Sequence, residues 1–376
     1  MARRPRSPRR LLLLARPVLS HPETTYLSRR TDLVLFPELL MTTPAPRPRR
    51  TFPDIAAVSW EHPADRAALQ ALRSVPGFEE VTRKILAFLG GERGIRLLFQ
   101  ANAVRVGPTQ FPKLWTTHVE VCTTFDWPTV PELYVSQTPV FNAGAYGIDT
   151  PFIVLHSAAL ELLDDDEIRV LLAHELGHVI SGHAFYRTIA AILFLVSASA
   201  LPALAGLALL PVRLAFLEWS RKSELSSDRA GLLGGQDPIA SQGLFMKMAG
   251  GVRPPLQIGQ LDLDTFMAQA HEYSSSHEGF DIFYKLLSTL MLTHPMHTVR
   301  AAELQGWIAG GDYDRIMRGE FTRRGPGAQE RPLREDLNAA KEHYAREAKE
   351  AFGQVVDAAK QAADRAREAF RRTQQT

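Results

Sequence analysis

Two histidines and a glutamate are the residues of this sequence best arranged for chemistry. Residues 174–178 read His-Glu-Leu-Gly-His, so His174 and His178 are four positions apart and Glu175 lies between them. On a helix of 3.6 residues per turn, side chains four apart share one face. Two imidazole nitrogens placed in this way can bind one metal ion, and Glu175 beside it can take a proton from water. The spacing therefore predicts a catalytic metal site with Glu175 as general base.

The flanking residues favour a buried helix over a chance occurrence of this motif on the surface. Residues 163–167 predict a helix start, with an aspartate as N-cap and acidic residues in the first turn. Because a buried helix rarely carries two histidines and a glutamate without partners, a metal site is the favoured interpretation. The apolar residues around the motif are Ile168, Val170, Leu171, Leu172, Val179 and Ile180.

The composition of the chain restricts the ligands available to such a site. The 376 residues have the hydrophobic and charged content of an ordinary globular protein and include one cysteine, Cys122. One cysteine excludes both an internal disulfide framework and a cysteine-rich zinc site. Any zinc ion must therefore be held by histidine and carboxylate groups.

A second segment supplies two carboxylates at helical spacing. Glu224 and Asp228 are four residues apart and so share a helix face. Catalytic zinc typically takes three protein ligands and keeps one position for water, so Glu224 can join His174 and His178. Asp228, one turn further on, can bind the outer ring nitrogen of a ligating histidine. Alone, this pair of acids would fit a solvated surface equally well, and its position after the first motif gives it weight.

Four sequence blocks in this order resemble the M48 family of zinc metallopeptidases, the Ste24- and HtpX-like gluzincins. Two of the blocks are the motifs above, and the resemblance covers about residues 62–310. The other two blocks are Asn142-Ala143 followed by Gly147, and Thr293-His294-Pro295 followed by Arg300.

The resemblance implies a zincin-like core and a role for each block. It implies one zinc ion per chain, bound by the two histidines of the first block and by Glu224. It gives Glu175 the role of general base and places Asp228 behind a ligand. It also implies that His294 and Arg300 line the cleft, where either can stabilise the oxyanion formed when water attacks an amide. The predicted function is that of a zinc metalloendopeptidase acting on proteins or peptides.

A small sheet is predicted immediately before the metal-binding helix. Asn142 and Ala143 fall in its second strand, where an extended peptide can bind by adding to the sheet edge. The alternative is that the strands only cover the core. At Gly144 the family commonly has phenylalanine, so the substrate-facing strand is expected to differ. Helices are predicted over most of residues 64–125, which gives an α+β, mainly helical fold. The predicted strands are residues 131–136, 140–147 and 152–155.

The segment that connects the two ligand-bearing motifs is apolar. Residues 188–212 contain no charged side chain and are long enough for one membrane span. One span would separate His178 from Glu224, and two spans need about 40 residues. We therefore predict an apolar helical hairpin at about 184–220, turning near Pro202. Its tip is expected either to enter one leaflet of a membrane or to pack on the amino-terminal helices.

Three charged or titratable residues lie near the start and end of the predicted hairpin. Arg187 and Arg213 flank the apolar run, and cations at both ends are typical of a cytoplasmic base. The prediction is a membrane-associated protein with a cytoplasmic-facing active site, or a cytoplasmic protein. The helix is expected to continue past His178, and on it His183 would face away from the metal bound by His178, so His183 is predicted to be structural.

Both ends of the chain are predicted to lie outside a catalytic domain at residues 62–322. Residues 1–61 combine an arginine-rich, proline-interrupted segment with a linker, and are expected to be disordered. Met41 is an alternative start, and nucleic-acid binding is not expected. Residues 323–376 read as a linker and a charged, alanine-rich helix, through which the chain can oligomerise or bind a partner helix.

The competing hypothesis is a non-proteolytic role. In that interpretation the chain is a metal-stabilised, membrane-associated scaffold that recruits partners through the hairpin and the carboxy-terminal helix. Glu175 argues against it, because a purely structural metal site has no use for a general base.

Overall fold

A computed structural model describes residues 48–89, 92–199, 210–251, 261–275 and 296–325 of the chain. Four of the predictions above fall outside these residues. They concern the basic amino-terminal segment, the hairpin turn at Pro202, the side chain of His294 and the carboxy-terminal charged helix.

Helices dominate the described part of the chain. They are α1 (Pro63–Arg73), α2 (Phe78–Leu89), α3 (Glu92–Gln100), α4 (Pro112–Thr124), α5 (Ser157–Leu162), α6 (Asp165–Ile180), α7 (His183–Ser199), α8 (Leu210–Gly235), α9 (Pro238–Gly250), α10 (Leu263–Ser275), α11 (His297–Ala309) and α12 (Asp312–Met317). The strands are β1 (Ala103–Arg105), β2 (Glu132–Ser136), β3 (Ala143–Tyr146) and β4 (Phe152–His156).

The four strands form one mixed sheet in the order β1-β2-β4-β3. Strands β2 and β4 are parallel, whereas β1 pairs antiparallel with β2 and β3 pairs antiparallel with β4. The predicted α+β, mainly helical class with a small sheet is thereby confirmed. The sequence did not indicate β1, because three residues are too few to show an alternating pattern. As the last strand in this order, β3 lies at one edge of the sheet.

Helix α6 begins at the point that the acidic run predicts. The Asp164 carboxylate accepts the backbone N–H of Glu167, and the Glu167 side chain accepts the backbone N–H of Asp164, which forms a capping box. The helix ends at Ile180, and Gly182 adopts a φ of +71° in the turn that follows. A left-handed residue of this kind ends a helix, so α7 starts in a new direction at His183. The prediction of one continuous helix through this region was wrong.

Helices α6 and α8 pack closely because small residues line their contact. A Cβ atom added to Gly177 of α6 would lie 2.5 Å from the Cβ of Ala230 in α8. A Cβ atom added to Gly234 of α8 would lie 2.3 Å from the Cβ of Ala173 in α6. Real Cβ atoms do not approach so closely, so only glycine permits this separation of the two backbones. The close contact brings the ligand-bearing faces of the two helices together.

Replacing Gly177 with alanine is expected to destabilise the protein by about 1–3 kcal/mol, because the added methyl group has no space beside Ala230. The matched control is Gly306→Ala in α11, where an added Cβ meets no atom within 4 Å. Alanine is the better helix former, so that change should stabilise the protein by about 0.5–1 kcal/mol. Urea unfolding curves for both variants measure the two effects. Equal midpoints would contradict the assigned packing.

The described parts of α7 and α8, which are the arms of the predicted hairpin, pack on the amino-terminal helices, whereas the two arrangements predicted for its tip lie outside the described residues. Their buried residues share one hydrophobic cluster with α1 and α2, and this cluster consists of Ala68, Leu72, Phe78, Ile85, Ile189, Ala190, Ile192, Leu193, Val212, Phe216 and Trp219. Within the ranges that the structure describes, no helix combines the length and the apolar character needed to cross a membrane. The hairpin itself remains a prediction, because its turn lies outside those ranges.

The segment that the sequence assigned to a linker before His62 packs in the main core. Phe52, Ile55 and Trp60 are completely buried. Backbone contacts tie this segment to the end of α4 and to the residues that follow α12, since Phe52 N–H donates to Thr124 O and Ile55 forms a β-bridge with Arg323. The linker interpretation failed here because scattered aromatic residues show no helix or strand period.

Candidate metal centre

Helices α6 and α8 bring two histidines and a glutamate to one buried point. His174 and His178 lie one turn apart on α6, and Glu224 reaches them from α8. The two Nε2 atoms are 3.2 Å apart. Glu224 Oε2 lies 3.4 Å from His174 Nε2, and Glu224 Oε1 lies 3.3 Å from His178 Nε2. These three residues are the group of potential metal ligands found among the described residues.

The spacing of these atoms fits a tetrahedral zinc ion. Bonds of about 2.0–2.2 Å to zinc place tetrahedral ligand atoms about 3.3–3.6 Å apart. The two Nε2 atoms are 3.2 Å apart, and each of them has one oxygen of Glu224 at 3.3–3.4 Å, Oε2 for His174 and Oε1 for His178. The donors are two imidazoles and a carboxylate, a set that zinc enzymes use. Burial supports the same interpretation, because His174, His178 and Glu224 are all at most 5% exposed. Three converging polar side chains are costly to bury unless they share a partner.

The balance of buried charge also favours a divalent cation. Two carboxylates, Glu175 and Asp228, are buried beside the three ligands. Imidazoles that bind a metal ion are neutral, and in that state the buried carboxylates, Asp65 included, outnumber the guanidinium groups of Arg187 and Arg300. Excess buried negative charge is unfavourable without a compensating cation. A doubly charged metal ion supplies that compensation. The buried carboxylates are Asp65, Glu175, Glu224 and Asp228.

Asp228 contacts the ring of His174. Its Oδ1 lies 3.0 Å from His174 Nδ1, which leaves Nε2 of that ring facing the other ligands. Arg300 binds the same carboxylate through two nitrogens, with Nε 2.8 Å from Oδ2 and Nη2 2.5 Å from Oδ1. Arg300 Nη2 is also 3.5 Å from Glu224 Oε2. Arg300 therefore holds Asp228 in place and also contacts Glu224.

Without a bound metal ion, the two histidines differ in protonation because their neighbours differ. Burial opposes charge on His174, but hydrogen bonds and attraction from Asp228 and Glu224 outweigh it and raise the pKa to about 9. For His178, burial and the nearby Arg187 guanidinium hold the pKa well below its usual value. Burial would raise the pKa of Asp228, yet Arg300 lowers it, so that carboxylate stays ionised.

Arg187 lies inside the site, and the sequence did not predict this. Its Nη1 donates to Glu224 Oε1 at 2.6 Å and lies 2.8 Å from His178 Nε2. The prediction that it flanks the base of a hairpin at a membrane surface was wrong, because its side chain is only 10% exposed. It is four residues after His183, so both side chains share the face of α7 that meets α6. That spacing was the one feature of the sequence that could have indicated that Arg187 lies in the site.

His183 contacts His178 instead of facing away from it. Its Nδ1 lies 3.1 Å from His178 Nδ1. The predicted orientation assumed that α6 continues past Ile180, and the turn at Gly182 breaks that continuity. His183 and the residue on its other side, Asp65, are both buried.

An open cleft of about 670 Å³ reaches the ligands from the surface. Glu175, His174 and Glu224 line this cleft, and Asn142 and Ala143 line it too. The structure thus brings the predicted strand residues to the candidate metal site. Residues from α9, α10 and the start of α11 complete the lining, among them Leu244, Met248, Gln269, Tyr273, His297 and Thr298.

In strand β3, which borders the cleft, the side chain of Tyr146 lies over Gly144. A Cβ atom added to Gly144 would lie 2.6 Å from the hydroxyl of Tyr146, so a larger residue at position 144 would displace the ring. Burial raises the pKa of Tyr146, and the negative charges of Glu175 and Glu224 add to the effect. The tyrosine therefore carries a neutral hydroxyl at physiological pH.

The comparisons with known proteins agree on one family. The model of Peptidase family M48 matches residues 108–308, which is more than half of the chain. The chain belongs to peptidase family M48. The plastoglobule-localized metallopeptidase 48, chloroplastic, of Arabidopsis thaliana is 34% identical over 276 residues, covering 72% of this chain and 78% of its own.

Shorter matches connect this M48 peptidase with bacterial proteins. A protease HtpX homolog of Tropheryma whipplei is 34% identical over 84 residues, which cover 22% of this chain and 28% of the relative. One from Helicobacter pylori is 45% identical over 51 residues, covering 13% and 16%. No solved structure matches the chain.

In this M48 peptidase, Arg300→Leu is expected to destabilise the fold by about 3–5 kcal/mol, because it leaves the buried Asp228 carboxylate without its main counter-charge. The control is Arg315→Leu, which removes a guanidinium that pairs with Asp312 while about half exposed. Exposed pairs contribute about 0–1 kcal/mol, so the control should differ little from the wild type. Thermal or urea unfolding gives both values. An Arg300→Leu protein as stable as the control would contradict the assigned role.

Proposed function

We propose that the chain is a zinc-dependent metalloendopeptidase that hydrolyses peptide bonds. The observation that carries the proposal is the convergence of His174, His178 and Glu224, whose nearest donor atoms lie 3.2–3.4 Å apart, with Glu175 lining the same open cleft. A structural zinc site is closed by four protein ligands, whereas a catalytic one keeps a position for water. Three ligands at the end of a cleft fit the catalytic type.

One zinc ion per chain is the proposed cofactor, held by His174, His178 and Glu224. When bound, zinc supplies Lewis-acid polarisation of the scissile carbonyl and of the attacking water. Asp228 holds His174 in the orientation that presents Nε2. Arg187 and Arg300 neutralise part of the negative charge of Glu224, which allows this carboxylate to remain ionised when buried.

Glu175 is the proposed general base. Its position between the two ligating histidines places its carboxylate in the same cleft wall as His174 and Glu224. In the proposed mechanism Glu175 takes a proton from the attacking water and then passes it to the nitrogen of the leaving amine. The carboxylate returns to its starting state at the end of each turnover.

The edge strand β3 is the proposed binding site for the substrate backbone. Asn142 and Ala143 border the cleft next to Glu175, and β3 ends the strand order of the sheet. A peptide in extended conformation can add to such an edge through its backbone hydrogen bonds. This mode selects a segment of extended chain without requiring one particular sequence.

His294 is the proposed donor to the oxyanion, and it precedes the residues that form the cleft wall at the start of α11. Arg300 also lines the cleft, but both of its interacting nitrogens bind Asp228. We therefore assign Arg300 to the positioning of Asp228 and Glu224. Oligomerisation through the carboxy-terminal helix and lipid contact through residues 188–212 remain predictions, and peptide hydrolysis does not require either.

Cleavage of a peptide with both ends blocked tests the proposed function. The purified full-length chain should cleave casein and an amino-acetylated, carboxy-amidated quenched peptide, because an endopeptidase needs no free terminus. The chelator 1,10-phenanthroline should abolish cleavage, and added Zn²⁺ should restore it. The isomer 1,7-phenanthroline, which cannot chelate, is the control and should have no effect. Cleavage that persists at full rate after metal removal, confirmed by elemental analysis, would contradict the proposal.

A further inference from the structure

A line of three buried side chains leads from the ligand His178 to helix α1. Nδ1 of His178 lies 3.1 Å from Nδ1 of His183. Nε2 of His183 lies 3.0 Å from Oδ2 of Asp65. His178 is 0% exposed, His183 is 2% exposed and Asp65 is 1% exposed, so solvent is not an alternative partner for these atoms.

The chemistry of the three groups gives this line one direction. A histidine that binds a metal through Nε2 carries its remaining proton on Nδ1, so His178 is the donor towards His183. Nδ1 of His183 must then be the acceptor, which places the proton of that ring on Nε2. The Nε2–H group of His183 then donates a hydrogen bond to the carboxylate of Asp65. Each atom along the line has a single role.

Asp65 is itself fixed in place. Ser226 Oγ donates to Asp65 Oδ2 at 2.6 Å, and the backbone N–H of His62 donates to Ser226 Oγ at 2.9 Å. Ser226 lies on α8, two residues after the ligand Glu224, so the line is anchored on the helix that carries the third ligand. Trp219 packs edge-on against the His183 ring at a centroid distance of 5.7 Å, which restricts the rotation of that ring.

We propose that Asp65 and His183 are positioning residues that orient His178 and raise its strength as a metal ligand. The proposal rests on the proposed zinc site. An outer carboxylate fixes the tautomer of a ligating histidine and increases its basicity. Asp228 does this for His174 by direct contact, and Asp65 does it for His178 through His183. Asp65 precedes residues 108–308, so helix α1 becomes part of the metal-binding unit although the family match begins after it.

Zinc release from the full-length, zinc-loaded chain tests the proposal. Asp65→Asn removes the charge but keeps an oxygen acceptor, and His183→Phe keeps a ring but removes both nitrogens. Each should transfer zinc to a chelating dye about 10- to 100-fold faster than the wild type. The control is Leu72→Ala, a buried apolar residue of the same helix whose side chain cannot hydrogen-bond with any of the three groups. It should lower stability but leave the release rate unchanged. A second readout is the visible spectrum of the cobalt-substituted protein, which should change in the first two variants alone.

Histidine tautomers in the wild type give a test that needs no substitution. In ¹⁵N-labelled, zinc-loaded protein, His178 should be protonated at Nδ1 and His183 at Nε2. A His183 ring protonated at Nδ1 would overturn the proposal, as would zinc release within twofold of the wild type from folded Asp65→Asn and His183→Phe proteins. The parent hypothesis fails separately, because wild-type protein that binds no zinc contradicts the proposed function.

Discussion

Replacing Glu175 with glutamine is expected to lower kcat by about 10²- to 10⁴-fold while zinc content stays at one ion per chain. The amide has nearly the size of the carboxylate but cannot accept a proton from water. Glu175 is not among the three residues whose donor atoms converge, so metal binding should not depend on it. Steady-state cleavage of a quenched peptide, together with elemental analysis of the same sample, measures both effects.

The control for this prediction is Asp166→Asn, which makes the same chemical change on the same helix. Asp166 lies in the first turn of α6, where its side chain is 59% exposed and pairs with Arg49. Its kcat should equal that of the wild type. Full activity in the Glu175→Gln protein would rule out this residue as the base.

Glu224→Ala is expected to lose zinc and, with it, all measurable peptide cleavage. The change removes the third donor and leaves two imidazoles beside the cations of Arg187 and Arg300. Positive charge without the Glu224 carboxylate should repel a divalent ion from the remaining pair. The zinc content after dialysis against a weak chelator is the measurement, and Glu224→Gln should reproduce the loss while preserving the shape of the side chain.

Glu218→Ala is the matched control on the same helix. Glu218 is 38% exposed and pairs with Arg221 one turn away, so its loss should change neither zinc content nor activity. A stoichiometric zinc content in folded Glu224→Ala protein would show that another residue is the third ligand, and it would also remove the basis for the proposed role of α8.

The parts of the site that follow from local spacing could be predicted from the sequence. His174, His178 and Glu175 depend only on the helical period. The start of α6 depends on a capping box within four residues. Glu224 and Asp228 also share a face by spacing alone, although their distance from the histidines along the chain meant that a resemblance to known peptidases was needed to connect them.

The parts that depend on how distant segments pack could not be predicted. His183 and Arg187 were misplaced because Gly182 breaks the helix, and a glycine does not reveal from sequence whether it turns the chain. Asp65 enters the site only because α1 packs against α8. Phe52, Ile55 and Trp60 were interpreted as linker residues, because buried residues that follow no helix or strand period cannot be recognised from the sequence.

The sequence by itself determined which donor groups this protein has, how they are spaced on each helix and that a carboxylate lies between the two histidines. Those features are short-range, and backbone geometry converts them directly into a face of a helix. Only the tertiary structure decided which charges surround the ligands. Arg187, Asp65 and His183 reach the site through turns and close packing between helices, where glycines at Gly177 and Gly234 set the separation. Such contacts arise from the whole fold, so no local pattern encodes them.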